Sequence, residues 1–454
     1  MKRVSSIIVV VTLLLCAAYT PANAAAAKDW TVAVFLNADN NLDPFGVEDQ
    51  QEMAKVGSND FLNVVSLIDR EHGPAQINYI EKNNIKKIKD MGEMDMGDYR
   101  QFVEFAKFIK ENYPAKHYCF TIWNHGSGWK NKGTSAIYRG VSYDDSSNNH
   151  ITNAQLGIAV AEVSKVLGQK IDILNFDACL MQMVEVAHAV KDNVVYMVAS
   201  EELEPGKGAP YDDILRGVKA GMDTQGYAIN WVNAFGKSYT GGSQGFDEST
   251  QSALDMSKFG PVVDSVNGLA KALMAGKNTM IVKSVLAKVQ KFGDPGNIDL
   301  AHFAELLKAQ TSIDAAVKTA CDKVIAAVKN AIIINKATGS TTKNAKGLAI
   351  YLPANLVLES KYNDLCFAKA TMWDEMIAAL AKKEAAERVV AGVTAGNLDE
   401  MRNLVAEAAQ NPEASRIALQ ELNFAVYSEK LLPKAIEGEF ESLFEALKNS
   451  VSNK

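Results

Sequence analysis

From Trp30 to about residue 200 the chain alternates short apolar runs with longer stretches whose apolar residues recur at helical spacing. Trp30 to Leu36, Leu62 to Ile68, Tyr118 to Trp123, Ile171 to Phe176 and Val194 to Ala199 are runs of strand length, and continuous apolarity suits a strand buried in a sheet. Tyr99 to Tyr113 carries Phe102, Val103, Phe105, Ala106, Phe108 and Ile109 on one helical face. Asn153 to Leu167 predicts a second amphipathic helix with Thr152 as its N-cap, and Leu180 to Val190 a third. Strands alternating with helices of this length imply βαβ units. The expected fold class is α/β, a mostly parallel sheet sandwiched by helices.

Beyond this region the pattern changes. From about 210 to 345 it is mainly helical, with breaks at Gly241-Gly242 and Gly293 to Gly296, and reads as a helical insertion. A short strand returns at Gly347 to Pro353. From 372 to 454, Ala, Glu, Lys and Leu at helical spacing predict a helical C-terminal extension, leaving 25–371 as one α/β domain. Residues 1–24 have two basic residues, an apolar run from Ile7 to Ala18, then Ala22-Asn23-Ala24, the layout of a signal peptide with a small-x-small cleavage site. A lipoprotein reading at Cys16 is weaker, because Leu15 is bulky where a small residue is wanted. No later stretch is long and apolar enough to span a bilayer, so the expected location is secreted or periplasmic.

Two of the predicted strands end in tight motifs. Asn124-His125-Gly126-Ser127-Gly128-Trp129 follows the first and Asp177-Ala178-Cys179-Leu180-Met181 the second. Parallel strands present their carboxyl ends on one edge, where ligand sites of open α/β folds form. An imidazole and a thiol brought to that edge make a base and a nucleophile. A cysteine at a strand-to-helix junction gains from unpaired amides and the helix dipole, which favour the thiolate. Gly126, lacking a side chain, lets its amide approach a substrate carbonyl and form an oxyanion hole with the Cys179 amide. Read one at a time, a strand-end histidine is often structural and a buried cysteine usually inert packing. Only the pair points to catalysis.

Charge and cysteine count add limits. The formal charge is −7, or −9 once Lys2 and Arg3 leave with the leader, which argues against nucleic acid as a partner. Cys119, Cys179, Cys321 and Cys366 are too few for a disulfide scaffold. Cys119 reads as a core residue; Cys321 and Cys366 could pair, though ordinary burial explains them equally.

The motif set resembles the clostripain family of cysteine peptidases. His125-Gly126-Ser127-Gly128-Trp129, Tyr143-Asp144-Asp145 and Asp177 to Met181 carry the resemblance. Glu185-Val186-Ala187, Ser200-Glu201-Glu202, Pro205-Gly206, Tyr211 and the strand at Gly347 to Pro353 extend it over roughly residues 30 to 355. The resemblance implies a caspase-like fold and cleavage of protein or peptide substrates after Arg or Lys. It makes His125 the base, Cys179 the nucleophile, and the Gly126 and Cys179 amides the oxyanion hole. Asp177 becomes the acid of the S1 pocket, although a helix-capping role reads equally well from sequence. It also implies self-cleavage between the dyad residues into a light and a heavy chain that stay associated. In the polar segment from Lys130 to Asn149 the Arg139-Gly140 bond is the favoured site, with Lys130 and Lys132 as alternatives. No cofactor is required for the chemistry. Some members depend on calcium, and Asp144 and Asp145, with Asn148 and Asn149, offer hard oxygen ligands without EF-hand spacing.

Three rival readings compete. Gly241-Gly242-Ser243-Gln244-Gly245 matches the G-x-S-x-G pattern of serine esterases, but a nucleophile elbow lies between a strand and a helix, and Tyr227 to Phe235 before it reads as helix. The histidines, His72, His117, His125, His150, His188 and His302, show no metal-binding spacing. A catalytically silent secreted binding protein on the same fold would most plausibly have lost one of His125, Gly126, Asp177 or Cys179, and all four are present.

Overall fold

The computed structural model describes residues 27–131, 139–276, 278–408, 410, 412–423, 425–426 and 431–452. The first half runs β1 (Lys28–Ala38), α1 (Asp43–Val56), β2 (Leu62–Arg70), a hairpin of β3 (Ala75–Glu81) and β4 (Asn84–Gly92), α2 (Tyr99–Asn112) and β5 (Ala115–Trp123). It continues through β6 (Gly126–Asn131), β7 (Arg139–Asp144), β8 (Asn149–Ile151), α3 (Asn153–Leu167), β9 (Ile171–Asp177), α4 (Val184–Val190) and β10 (Val194–Ala199). The second half holds α5 (Tyr211–Gly217), α6 (Thr224–Ser238), β11 (Thr240–Gly242), β12 (Gly245–Phe246), β13 (Ser249–Asp255), α7 (Phe259–Ala275) and α8 (Thr279–Leu286). After these come β14 (Asn297–Asp299), α9 (Leu300–Lys308), α10 (Ala315–Ala331), β15 (Ile332–Thr338), β16 (Ala349–Tyr351) and α11 (Cys366–Ala370), then α12 (Trp373–Thr394), α13 (Asp399–Glu407), α14 (Pro412–Asn423) and α15 (Glu437–Ser452).

The predicted strands form the middle of a nine-stranded sheet ordered β15-β13-β10-β9-β5-β1-β2-β3-β4. From β10 to β2 all neighbours are parallel, and antiparallel strands extend both edges. Alternate residues of β1 face opposite layers, as the two-residue period of a strand requires. Ala33 and Phe35 pack with Phe102 and Phe105 of α2 and Val160 of α3. Trp30, Val32, Val34 and Leu36 pack with Met53 of α1, Ile214 of α5 and Trp231 of α6. Both faces are therefore covered, the reason these strands read as continuous apolar runs. Thr152 caps α3 with a capping box completed by Gln155.

The region 210–345 is not purely helical. β13 and β15 add two strands to the central sheet within it. β13 reads Ser-Thr-Gln-Ser-Ala-Leu-Asp and is buried throughout, so no apolar run marks it. Its polar groups find partners instead: Thr250 Oγ1 meets Ser200 Oγ at 2.9 Å, and Ser252 Oγ accepts from Gln182 Nε2 at 2.8 Å. The strand expected at 347–353 forms as β16, but pairs with β14 in a separate two-stranded sheet. β4 was missed because it is exposed along its length and carries Lys86, Lys87 and Lys89. The boundary at 372 also moves. Trp373, Met376, Ile377 and Leu380 of α12 belong to the main core, whereas Ala386, Val389 and Val393 of the same helix start a separate cluster with α13, α14 and α15. The change of core occurs inside one continuous helix. Among the described residues, no helix is long and apolar enough to cross a membrane.

Glu185 ties α4 to the strand beyond it. Its buried Oε1 accepts from Tyr351 N at 2.9 Å and Tyr362 Oη at 2.8 Å, and burial pushes its carboxyl up to about 7. A folded-state value above the unfolded one means the folded chain holds the proton longer, so this stabilisation is complete below pH 4.5 and lost as pH rises through 7. Glu185→Gln keeps an acceptor for both donors and cannot ionise. We expect its unfolding free energy, measured by urea titration across pH 5–8, to decline less with pH than that of the unmodified chain.

Candidate active site

Strand register assembles the site. β5 and β9 are parallel neighbours in which Trp123 stands beside Asp177. Two residues beyond each partner lie His125 and Cys179, so both emerge at matching positions on one sheet edge. Asn124 N continues the pairing by donating to Asp177 O at 3.2 Å. Asn124 Nδ2 also bridges to Asn37 O at 2.6 Å and Tyr143 O at 3.0 Å, which locks the turn before the histidine. His125 Nε2 lies 2.7 Å from Asn41 Oδ1. His125 and Cys179 line the same cavity, about 280 Å³ in volume.

Cys179 is not at a helix start. Residues 178–180 form a turn and α4 begins only at Val184, so the dipole expected to favour the thiolate is displaced along the chain. A backbone amide instead meets the sulfur: Glu204 N donates to Cys179 Sγ at 3.3 Å. The segment carrying that amide is fastened to the turn by Leu180 N to Glu202 O at 3.1 Å and Gln182 N to Ser200 O at 2.9 Å. Leu180 adopts φ +65°, which a non-glycine residue holds only where its surroundings impose it. Gly126 fits against the same turn. A Cβ there would lie 2.4 Å from Cys179 O, so only glycine lets these backbones approach.

Acidic groups floor the cavity. Asp177 ends β9 and caps no helix; its Oδ2 accepts from Tyr211 Oη at 2.8 Å and its Oδ1 from Ala209 N at 3.1 Å. Glu204 lines the same cavity, within hydrogen-bonding reach of Asp177. Burial and then the neighbouring Asp177 hold Glu204 well above the ordinary carboxylate range, and burial raises Asp177 as well. Behind them Asp49 accepts from Trp123 Nε1 at 2.6 Å and is raised by burial and by Asp177. Close carboxyl groups without a cation share protons in this way. Gly208 completes the floor: at φ +58°, its Cβ would lie 2.8 Å from Asp177 Oδ1. The sequence singles out Asp177 among these neighbours but not Glu204, Asp49 or Asn41. Glu204 stood unremarked between Glu202 and Pro205 in a segment already singled out.

The remaining candidates fall elsewhere. Both oxygens of Asp144 accept backbone amides, from Met96 and Ser147 at 2.8 Å each, and Asp145 is exposed. No group of three or more His, Cys, Asp or Glu side chains suited to a metal ion occurs among the described residues. The polar segment after Lys130 is strand at both ends: β6 and β7 pair Asn131 with Arg139, and Gly140 N donates to Ser127 Oγ at 3.2 Å. Lys132 lies outside the described residues. Ser243 sits in the turn between β11 and β12, after helix α6, and donates to Asp213 at 2.6 Å, which is no nucleophile elbow. Cys119, Cys179, Cys321 and Cys366 are all free thiols, Cys321 buried and Cys366 exposed.

Gly126→Ala tests the close packing directly. The added methyl must push the Cys179 turn away. We expect turnover of any cleavable peptide to fall by about 100-fold, because small displacements of a reacting group cost that much. The thermal midpoint should drop only modestly, since the site lies at the sheet edge. Kinetics beside a melting curve would check both.

The chain is similar to known proteins in sequence and in fold. The family model described as the clostripain family matches residues 34–380. Clostripain from Hathewaya histolytica is 30% identical over 227 residues; that match covers 43% of this chain and 43% of the relative's length. Among solved structures, an inhibitor-bound secreted cysteine protease of this family from Bacteroides thetaiotaomicron superposes with a TM-score of 0.58 at 19% identity, covering 77% of this chain and 100% of that one. An inactive zymogen of a family protease from Parabacteroides distasonis gives 0.59 at 18% identity, covering 76% and 99%. With its profile matched over most of its length and its fold shared with these proteases, the chain belongs to the clostripain family.

Proposed function

We propose that the chain is an exported cysteine endopeptidase that cleaves after Arg or Lys. The observation that carries this reading is the joint lining of one cavity by His125, Cys179, Asp177 and Glu204. A nucleophile and base stand at its rim and two carboxyl groups at its floor, the arrangement that receives a guanidinium or ammonium group beside the scissile bond.

In this mechanism His125 takes the thiol proton and Cys179 Sγ attacks the scissile carbonyl. The tetrahedral oxyanion is held by the Gly126 and Cys179 amides. Collapse breaks the C–N bond, and the imidazolium returns its proton to the leaving amine, which gives a thioester. Water, deprotonated by His125, then attacks the thioester. The free carboxyl product leaves and the thiol is restored.

Self-cleavage belongs to the same proposal, in the connection between β6 and β7. A cut at Arg139-Gly140 requires Gly140 to leave its hydrogen bonds with Ser127 and the β6–β7 pairing to open, so it should follow local unpeeling of β7. The two chains would remain associated through the sheet. The signal-peptide reading of residues 1–24 places the enzyme outside the cytoplasm.

The test is cleavage of fluorogenic peptides ending in Arg, Lys, Asp or Leu, with and without calcium, beside gel analysis. Turnover should be confined to the basic peptides and vanish in Cys179→Ala and His125→Ala, along with any self-cleavage. Asp177→Asn should lower kcat/KM for basic peptides by about 100-fold, the cost of losing one partner of a buried charge pair. An intact chain that cuts nothing, even after trypsin nicking, sinks the endopeptidase reading and favours a binding protein.

The shared protons add a pH dependence. A cation fills the floor best once Asp177 and Glu204 are ionised, and burial raises both. KM for an Arg peptide should therefore fall as pH climbs above the ordinary carboxylate range. Glu204→Gln should flatten that dependence, and steady-state kinetics across pH would read it.

A further inference from the structure

We infer that Asn41 is a positioning residue for the reaction: its side-chain carbonyl holds the His125 ring so that Nδ1 serves as the base for Cys179. The inference rests on the reading of His125 and Cys179 as a catalytic pair.

Its geometry starts with the histidine. His125 Nε2 lies 2.7 Å from Asn41 Oδ1. A carbonyl oxygen can only accept, so Nε2 carries the hydrogen and donates it. Nδ1 is then the basic nitrogen. The turn bearing the base is itself fixed by Asn124, but an imidazole can still swing about its side-chain torsions. A second anchor on the far ring nitrogen removes that freedom, which is how a base is usually oriented beside its nucleophile.

The anchor is rigidly mounted although its own side chain is exposed. Asn41 lies between the end of β1 and the start of α1, in a loop pinned on both sides. Asn40 N donates to Ala38 O at 2.8 Å and Asp43 N to Asn40 O at 3.1 Å. The Asn40 side chain accepts from Leu42 N at 2.9 Å and donates to Tyr143 O at 2.9 Å. Tyr143 O also receives Asn124 Nδ2, so one carbonyl of β7 braces both the loop of Asn41 and the turn of His125. The two side chains therefore meet at a separation set by strands rather than by chance encounter at the surface.

A neutral amide has a further consequence. It stabilises the imidazolium through a dipole and not a full charge. A carboxylate in its place would favour the imidazolium more strongly and raise the pH at which His125 loses its proton.

The experiment uses the full chain with Asn41→Ala and Asn41→Asp, measuring peptide turnover, the rate of Cys179 alkylation by iodoacetamide read by peptide mass, and thermal melting. Because Asn41 is exposed, both variants should melt like the unmodified chain. Asn41→Ala should lower kcat about 10- to 100-fold, within the span of general-base effects, with KM changed less than about twofold. Its Cys179 alkylation should slow in parallel. Asn41→Asp should recover part of the rate and move the limb that titrates His125 to higher pH in both profiles. Retention of kcat and alkylation rate within about twofold in Asn41→Ala would overturn the inference, as would an Asn41→Asp profile that superposes on the parent's. Alkylation needs no peptide substrate. If the parent cuts no basic peptide, the endopeptidase reading fails while the alkylation series still decides the role of Asn41.

Discussion

Everything at the site depends on the hydrogen-bond ladder between β5 and β9. In a parallel pair the register fixes which residues stand abreast, and a slip of one residue would turn every side chain to the opposite face. With Trp123 beside Asp177, the chain leaves both strands at the same height, and the histidine and cysteine follow at equal distances. No loop has to reach across a gap. The ladder is buried on both faces, so the cost of misregister is the loss of two packed layers rather than a few contacts. That is why a reactive pair can be carried on two short turns without drifting.

The same edge collects acidic side chains whose ionisation burial disfavours. Asp49, Asp177 and Glu204 are held close together behind Cys179, and accept hydrogen bonds from neutral groups, Trp123, Tyr211, Ala209 and Gln251. Buried carboxyl groups set this close to one another are costly wherever they ionise. Buried acids that disfavour one another's ionisation are a pattern expected where function and not folding selects the residues. The Glu204 backbone amide, meanwhile, serves the sulfur. One residue thus links the acidic lining of the cavity to Cys179.

The central strands were legible because they are buried on both sides and so apolar without interruption, and α2 and α3 because each has one apolar face and a good N-cap. β13 escaped because its burial is satisfied by hydroxyls and amides, a pattern that period and hydropathy do not register. α4 was drawn too early because Leu180 and Met181 are apolar, yet the positive φ at Leu180 forbids helix there. His125, Gly126, Asp177 and Cys179 were visible as motif residues. Asn41 was not, since it lies in the loop after β1, far from His125 in sequence, and an asparagine at a strand end normally signals only a turn. Glu204 was hidden for the opposite reason: it sits among other acids, and only the fold turns it inward.

The β5–β9 ladder also decides what a nicked molecule is. A break between His125 and Cys179 leaves β1, β2 and β5 on one fragment and β9, β10 and β13 on the other, so the fragment boundary runs through the middle of the sheet. Neither piece retains the packed layers of the central sheet, although the α12–α15 cluster stays whole on the second. Dissociation would then be the same event as unfolding, and the fragments would survive dilution as long as the fold does. Refolding, by contrast, would change from a unimolecular reaction to a bimolecular search between two chains with exposed strand edges. A molecule cut there after folding would persist by the slowness of its unfolding rather than by its ability to fold again.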